Sequence, residues 1–300
     1  MKKWKKTILV TGVVSCLIGA VLVGYGTATG GFETLMTTGG SSQSSKFHTK
    51  NLDKFDKIVI DSNAYDITIA TEKIDKPVIS YYTDDKIPVS YEVTDGTLSV
   101  SEKSKWMTKR WGINFLTLSD FINLKQYGNI STPRTMIISV PEGTDLDSLK
   151  VSLKVGSLTL NDIKTKETDI TLATGEFIGD NVKLNNGQLT LQVGNANLQD
   201  SSLSNFTTTL NMGSFNLNSG TITDTVSDLS VGSYDANLVT FKKSNTISVD
   251  TGDTDINLAA YDLNVKVKSN IGESDITDNL TNSTENTLTI TNSIGDITVQ

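Results

Sequence analysis

"TGDTDINLA", residues 251–259, sets two aspartates two positions apart directly after a glycine. Taken alone, Asp253 and Asp255 have the look of a calcium loop or of a catalytic carboxylate pair. Their register says otherwise. Glycines recur at Gly156, Gly175, Gly194, Gly213, Gly232, Gly252, Gly272 and Gly295, with spacings of 19, 19, 19, 19, 20, 20 and 23 residues. A period of that kind is an internal repeat. Three positions before the glycines stand Leu153, Leu172, Leu191, Leu210, Leu229 and Val249; four positions after them stand Leu160, Gly179, Leu198, Leu217, Ala236, Ile256, Ile276 and Val299. In this alignment Asp253 shares its column with Ser157, Asn195, Ser214 and Ser233, and Asp255 shares its own with Thr159, Asn197 and Asn216. The pair therefore reads as a turn residue followed by an outward-facing strand residue.

Within each repeat apolar and polar residues alternate, as in "QLTLQV", which is strand periodicity with one face buried. No sustained helical period occurs in this region. One repeat is too short to cover its own apolar face, so neighbours must stack, at ~4.8 Å per coil. The reading is all-β: a parallel β-solenoid of about eight coils of 19–23 residues over 150–300, its corners formed by the eight glycines. An antiparallel meander turning at each glycine is the alternative; it would need a second layer that the sequence does not supply. Residues 54–149 are β-rich but out of register, and read as a lead-in that caps the solenoid. They carry an insertion at 103–129. The last strand, "GDITVQ", has no evident cap, which predicts an open final coil able to pair with another chain.

The lead-in phrases "FDKIVIDSNAYDITIA", "GTLSV" and "VPEGTDLDSLKV", followed by glycine-punctuated repeats, resemble the bacterial β-strand-repeat family of unknown function labelled "putative adhesin". The similarity covers roughly residues 54–300. It implies a cell-envelope protein, often membrane-anchored, of low-GC Gram-positive bacteria, with some relatives tied to envelope stress and antimicrobial-peptide resistance. The family has no established catalytic motif, so the resemblance carries no site residues over.

The amino terminus predicts the anchor. Four of the first six residues are lysines, and no charged residue occurs from Thr7 to Phe32. The apolar core 8–25 is about long enough to span a bilayer, and the lysines of the 1–7 tail favour a cytoplasmic amino terminus. The expectation is a single-pass cell-membrane protein with its carboxy-terminal part extracellular. Two rivals are a cleaved signal peptide and a lipoprotein in which "VVSC" would make Cys16 the lipidated residue. Gly/Ser-rich residues 26–53 read as a tether, with His48 as a solvated linker residue.

Composition narrows the chemistry. One cysteine and one histidine, Cys16 and His48, leave no disulfide framework, no zinc cluster and no nucleophile–histidine arrangement in the repeats. From Gly156 to Gln300 there are 7 Lys against 18 Asp and Glu, net −11, out of −8 for the whole chain. Phosphate binding needs clustered cations, so nucleic acid is excluded as a partner. Calcium would need six to eight oxygens from a tight loop; the first position after the glycine is Ser157, Asn195 and Ser214 in three of the coils, so no metal and no cofactor are predicted. The insertion gathers Trp106, Lys109, Arg110 and Trp111 into a basic–aromatic patch suited to a membrane surface, an anionic wall polymer or a peptide. Its structural alternative is aromatic packing over the solenoid's open end. The function expected is non-enzymatic: a binding or scaffold module at the bacterial cell envelope, in adhesion or an envelope-stress response, with a wall polymer, peptide or envelope protein as partner. The alternative is a carbohydrate-active β-helix enzyme, which would need convergent carboxylates across adjacent coils.

Overall fold

A corner that repeats every 19 residues forces the strands on either side of it to stack in register, and this is what is seen. A computed structural model describes residues 46–83, 89–102 and 135–300. The expected membrane span 8–25, and the insertion with Trp106, Lys109, Arg110 and Trp111, lie outside the described residues. Those described are all-β. The lead-in comprises β1 (Lys46–Asn51), β2 (Lys57–Ala64), β3 (Asp66–Glu72), β4 (Val78–Thr83), β5 (Val89–Thr94), β6 (Thr97–Glu102) and β7 (Thr135–Pro141). The repeats begin with β8 (Asp145–Val155), β9 (Leu158–Asn161), β10 (Lys164–Thr174), β11 (Phe177–Asp180) and β12 (Lys183–Val193). Two long strands, β13 (Ala196–Met212) and β14 (Phe215–Val231), wrap corners without a break. The series ends with β15 (Tyr234–Lys242), β16 (Ser244–Thr251), β17 (Thr254–Leu258), β18 (Asn264–Ile271), β19 (Ser274–Ile276), β20 (Thr287–Ile294) and β21 (Ile297–Val299).

All pairings from β8 to β21 are parallel, so the meander is excluded. Each coil turns three corners. Besides the glycine, Asp162, Asn181, Asp200, Ser219 and Leu238 hold positive φ at one further corner, and Asn186, Asn205, Asp224 and Lys243 at another. Asn and Asp tolerate the left-handed region better than most residues, and both sets repeat at 19-residue intervals. The three sides enclose one continuous core. Leu153, Leu172, Leu191, Leu210, Leu229 and Val249 form one buried column, and Leu160, Leu198, Leu217, Ala236, Ile256 and Val299 another. Each buried leucine contributes roughly 2 kcal/mol of transfer free energy. Aromatic rings fill a third column, where Phe215 stacks on Tyr234 with centroids 4.8 Å apart.

The glycine column is obligatory for two reasons at once. From Gly156 to Gly295 φ lies between +132° and +154°. A Cβ on Gly213 would also stand 1.8 Å from the carbonyl oxygen of Gly194 in the coil beneath.

Both ends depart from chain order. β2 lies between β6 and β8, and β3 between β7 and β9. The first rung is thus clamped by strands laid down later. The other end mirrors this, because β20 pairs with both β16 and β18, and β21 with both β17 and β19. The expectation of an open final strand is therefore corrected: "GDITVQ" is an interior rung, and the outermost rung is β18–β19. Two connections make the exchange, and they are pinned where they cross. Thr281 N donates to Tyr261 O (3.1 Å), and Asn286 Nδ2 donates to the Asp262 carboxylate (3.0 Å).

The tether is also corrected at its end. Lys46–Asn51 form β1, antiparallel to β4, and His48 is no linker residue, since it stacks on Tyr81 with ring centroids 5.4 Å apart. At the same end β5 runs antiparallel to β6 and β4 antiparallel to β7. Glu102, buried, closes the first corner, which lacks a glycine: its carboxylate accepts from Asn63 N (2.8 Å) and Ala64 N (3.2 Å).

Candidate binding face

The shortest side of each coil, the one carrying Phe177–Asp180 and its counterparts, has only two outward positions. Stacking turns them into two parallel rails. In register along the first stand Ile178, Asn197, Asn216, Asp235 and Asp255; along the second stand Asp180, Gln199, Asn218, Asn237 and Asn257. Stacked identical or similar amides can bond to one another up the ladder, and here they do. Asn216 Nδ2 donates to Asn197 Oδ1 (2.7 Å), and Asn197 in turn donates to the Glu176 carboxylate. On the second rail Asn257 donates to Asn237 (2.9 Å), Asn237 to Asn218 (2.7 Å) and Asn218 to Gln199 (2.7 Å).

Between the rails runs an open groove of about 830 Å³, with Gly179, Leu198, Leu217 and Ala236 along its middle. Asn197, Asn218 and Asn237 each spend one hydrogen and one lone pair on their neighbours and keep one of each. The groove thus offers donors and acceptors repeating at ~4.8 Å. Among the described residues no Lys, Arg or His lines it, and its charges are those of Asp180, Asp235 and Asp255. Chemically it suits an elongated, uncharged, hydroxyl-rich ligand and repels an anionic one.

Asp253 and Asp255 are now placed. Asp253, next to the glycine corner, accepts from Asp296 N (2.8 Å); Asp296 does the same for Glu273 N (2.8 Å). Asn195 makes the equivalent bond to Ser214 N (2.9 Å). This column tethers each corner to the next. Asp255 belongs to the first rail, beside Asp235, whose carboxylate accepts from Ser233 Oγ (2.7 Å). These two carboxylates stand in single file on the same wall of the groove, not opposite each other across it. Among the described residues no three His, Cys, Asp or Glu side chains are gathered as a metal would need. Two corner aspartates are drawn below the usual carboxylate range, Asp224 by its hydrogen bond from Lys243 and Asp200 by that from Gln199. Inside, burial pushes the Tyr234 phenol up.

The eight glycines all lie in one corner column, whose order in space is Gly156, Gly175, Gly194, Gly213, Gly232, Gly252, Gly295, Gly272. The rails were missed as a binding surface in the sequence, although "ANLQ", "FNLN" and "TDIN" repeat the polar–apolar–polar signal at the same offset.

Comparison with known proteins bears on the whole repeat region. No curated protein matches the chain. Among solved structures, it is similar to one described as a "putative lipid binding protein" from Parabacteroides distasonis, at 15% identity over 86% of this chain and 98% of that one, with a TM-score of 0.48. A "putative adhesin" from Bacteroides fragilis matches at 15% identity over 86% and 98%, TM-score 0.43. A "putative cell adhesion protein" from Clostridium sporogenes matches at 12% identity over 85% and 99%, TM-score 0.29. The profile of the Toastrack DUF4097 family matches residues 55–300, which include every strand from β2 to β21, and the chain belongs to that family.

Proposed function

We propose that this protein is a non-enzymatic binding module of a bacterial cell envelope, and that the amide-railed groove is where it holds a linear, hydroxyl-rich polymer such as a wall or surface polysaccharide. The observation that carries this reading is the continuity of the two rails across neighbouring coils, which matches a ligand with its own repeat. Anionic wall polymers, which the aspartates of the groove would repel, belong in this reading to the basic–aromatic segment of Trp106, Lys109, Arg110 and Trp111. Residues 8–25 serve as the membrane anchor, with the lysine-rich tail cytoplasmic and the repeats outside, acting in adhesion or in an envelope-stress response.

Asp235 and Asp255, on adjacent coils, are the one feature that favours a carbohydrate-active enzyme instead. Co-sedimentation of the full-length chain with purified wall polysaccharide separates the readings. Replacing Asn216, Asn218 and Asn237 together by alanine should weaken retention about ten-fold or more, since each lost hydrogen bond is worth roughly 1 kcal/mol. Release of new reducing ends, abolished by Asp235→Asn, would establish the enzyme. Unchanged retention by the triple variant would remove the groove from the account.

A further inference from the structure

The rung order at the carboxy-terminal end leaves β18 as the last long strand of the stack. Its only partner among the described residues is β20. The opposite end runs out differently, in the antiparallel strands β1, β4 and β5. Three observations converge on β18. Its inward residues Val265 and Val267, with Ile276 and Leu280 nearby, are only partly buried although they pack on the core. Ser269 stands in the inward column that Leu153 to Val249 fill elsewhere; its hydroxyl is buried and has no hydrogen-bond partner among the described residues. The outward positions, finally, are Lys266 and Lys268, beside Thr289 and Thr291 of β20. An edge strand with a half-covered apolar face and an orphaned hydroxyl is a template for one more strand.

We infer that this edge accepts an extended segment of a partner protein in which apolar residues alternate with acidic ones. The apolar side chains would continue the column of Val265 and Val267, and a threonine or serine among them would meet the Ser269 hydroxyl. Acidic side chains on the other face would lie beside Lys266 and Lys268. Charge also argues against a second copy of this chain as the occupant. In an antiparallel pairing of two β18 strands, matching Val267 to Val267 sets Lys266 opposite Lys268. Sliding the pairing by one step either way sets Lys266 opposite Lys266, or Lys268 opposite Lys268. Like charges directly opposite destabilise a strand pair, whereas opposite charges contribute to it. This site is separate from the groove and does not depend on what the groove binds.

The test uses the full-length chain and two fluorescent seven-residue peptides, one alternating valine with glutamate and one alternating valine with lysine, followed by anisotropy. The glutamate peptide should bind, the lysine peptide should bind at least about ten-fold more weakly, and Lys266→Glu with Lys268→Glu should reverse that order. Hydrogen exchange should show new protection in 264–271 on binding. Equal affinity for both peptides, protection elsewhere only, or a dimer of the chain that competes with the peptide would each overturn the proposal. Both lysines are exposed, so the double variant keeps its fold, and unchanged melting of the unbound protein verifies that.

Discussion

At the scale of single residues, the glycine corners differ from ordinary turn glycines in what surrounds them. Gly143 also has positive φ, at +80°, but a Cβ there would meet nothing within 4 Å. Gly213 has φ +142° and the Gly194 carbonyl oxygen 1.8 Å from where its Cβ would be. Gly143→Ala therefore strains only its own backbone, about 1 kcal/mol, whereas Gly213→Ala must also push two coils apart. Denaturant titration should find Gly213→Ala destabilised by about 3 kcal/mol or more, well beyond Gly143→Ala. Similar losses would mean that the corners are not in stacked contact. The aspartates that open the repeat "TGDTDINLA" act at this scale too: Asp253 ties its corner to the next coil, and Asp255 lines the groove.

At the scale of elements, the order of the last rungs sets what each strand contributes. β20 and β21 lie between β16–β17 and β18–β19, so removing residues 287–300 takes away the only described partners of β18 and β19. It also takes Leu288, Ile290, Ile297 and Val299, all buried, out of the core columns. Truncation after Asn286 should leave 264–286 open to protease and lower the melting temperature by several degrees, as a loss of a few kcal/mol requires. A truncated chain that resists protease through 264–276 would contradict the clamped order. The repeat itself was legible in the sequence because the glycine column allows no substitute. The exchange of the last two rungs was less so, although the final spacing lengthens to 23 residues and Tyr261 and Thr281 stand where Leu184 and Leu203 are buried. Those extra residues are the crossing connection. The two corners without glycine were hidden because Asp, Asn, Ser, Leu and Lys all occupy them, and β1 because its pairing with β4 is long-range.

At the scale of the whole molecule, the account joins three properties to one geometry. Parallel stacking in register produces the core columns, lines up the amides into rails, and leaves β18 as an edge of the described residues at the carboxy-terminal end. The groove runs along the stack, so its length is set by the number of coils in register, and the edge lies across the stack's end. The edge depends on the rungs being ordered 252–295–272 and not in chain order. Adjacent parallel strands are ~4.8 Å apart, within reach of a disulfide, whereas strands two rungs apart are ~9.6 Å apart, beyond the roughly 7 Å between Cα atoms that a disulfide can bridge. Ser248, Thr291 and Lys268 point outward on the same side, with Thr291 in register with both of the others. The most direct measurement is oxidative cross-linking in a Cys16→Ser background, comparing Ser248→Cys with Thr291→Cys against Ser248→Cys with Lys268→Cys. The clamped order predicts rapid cross-linking of the first pair and none of the second. Cross-linking of the second pair and not the first would show that the coils stack in chain order, and the free edge would then belong to the last strand.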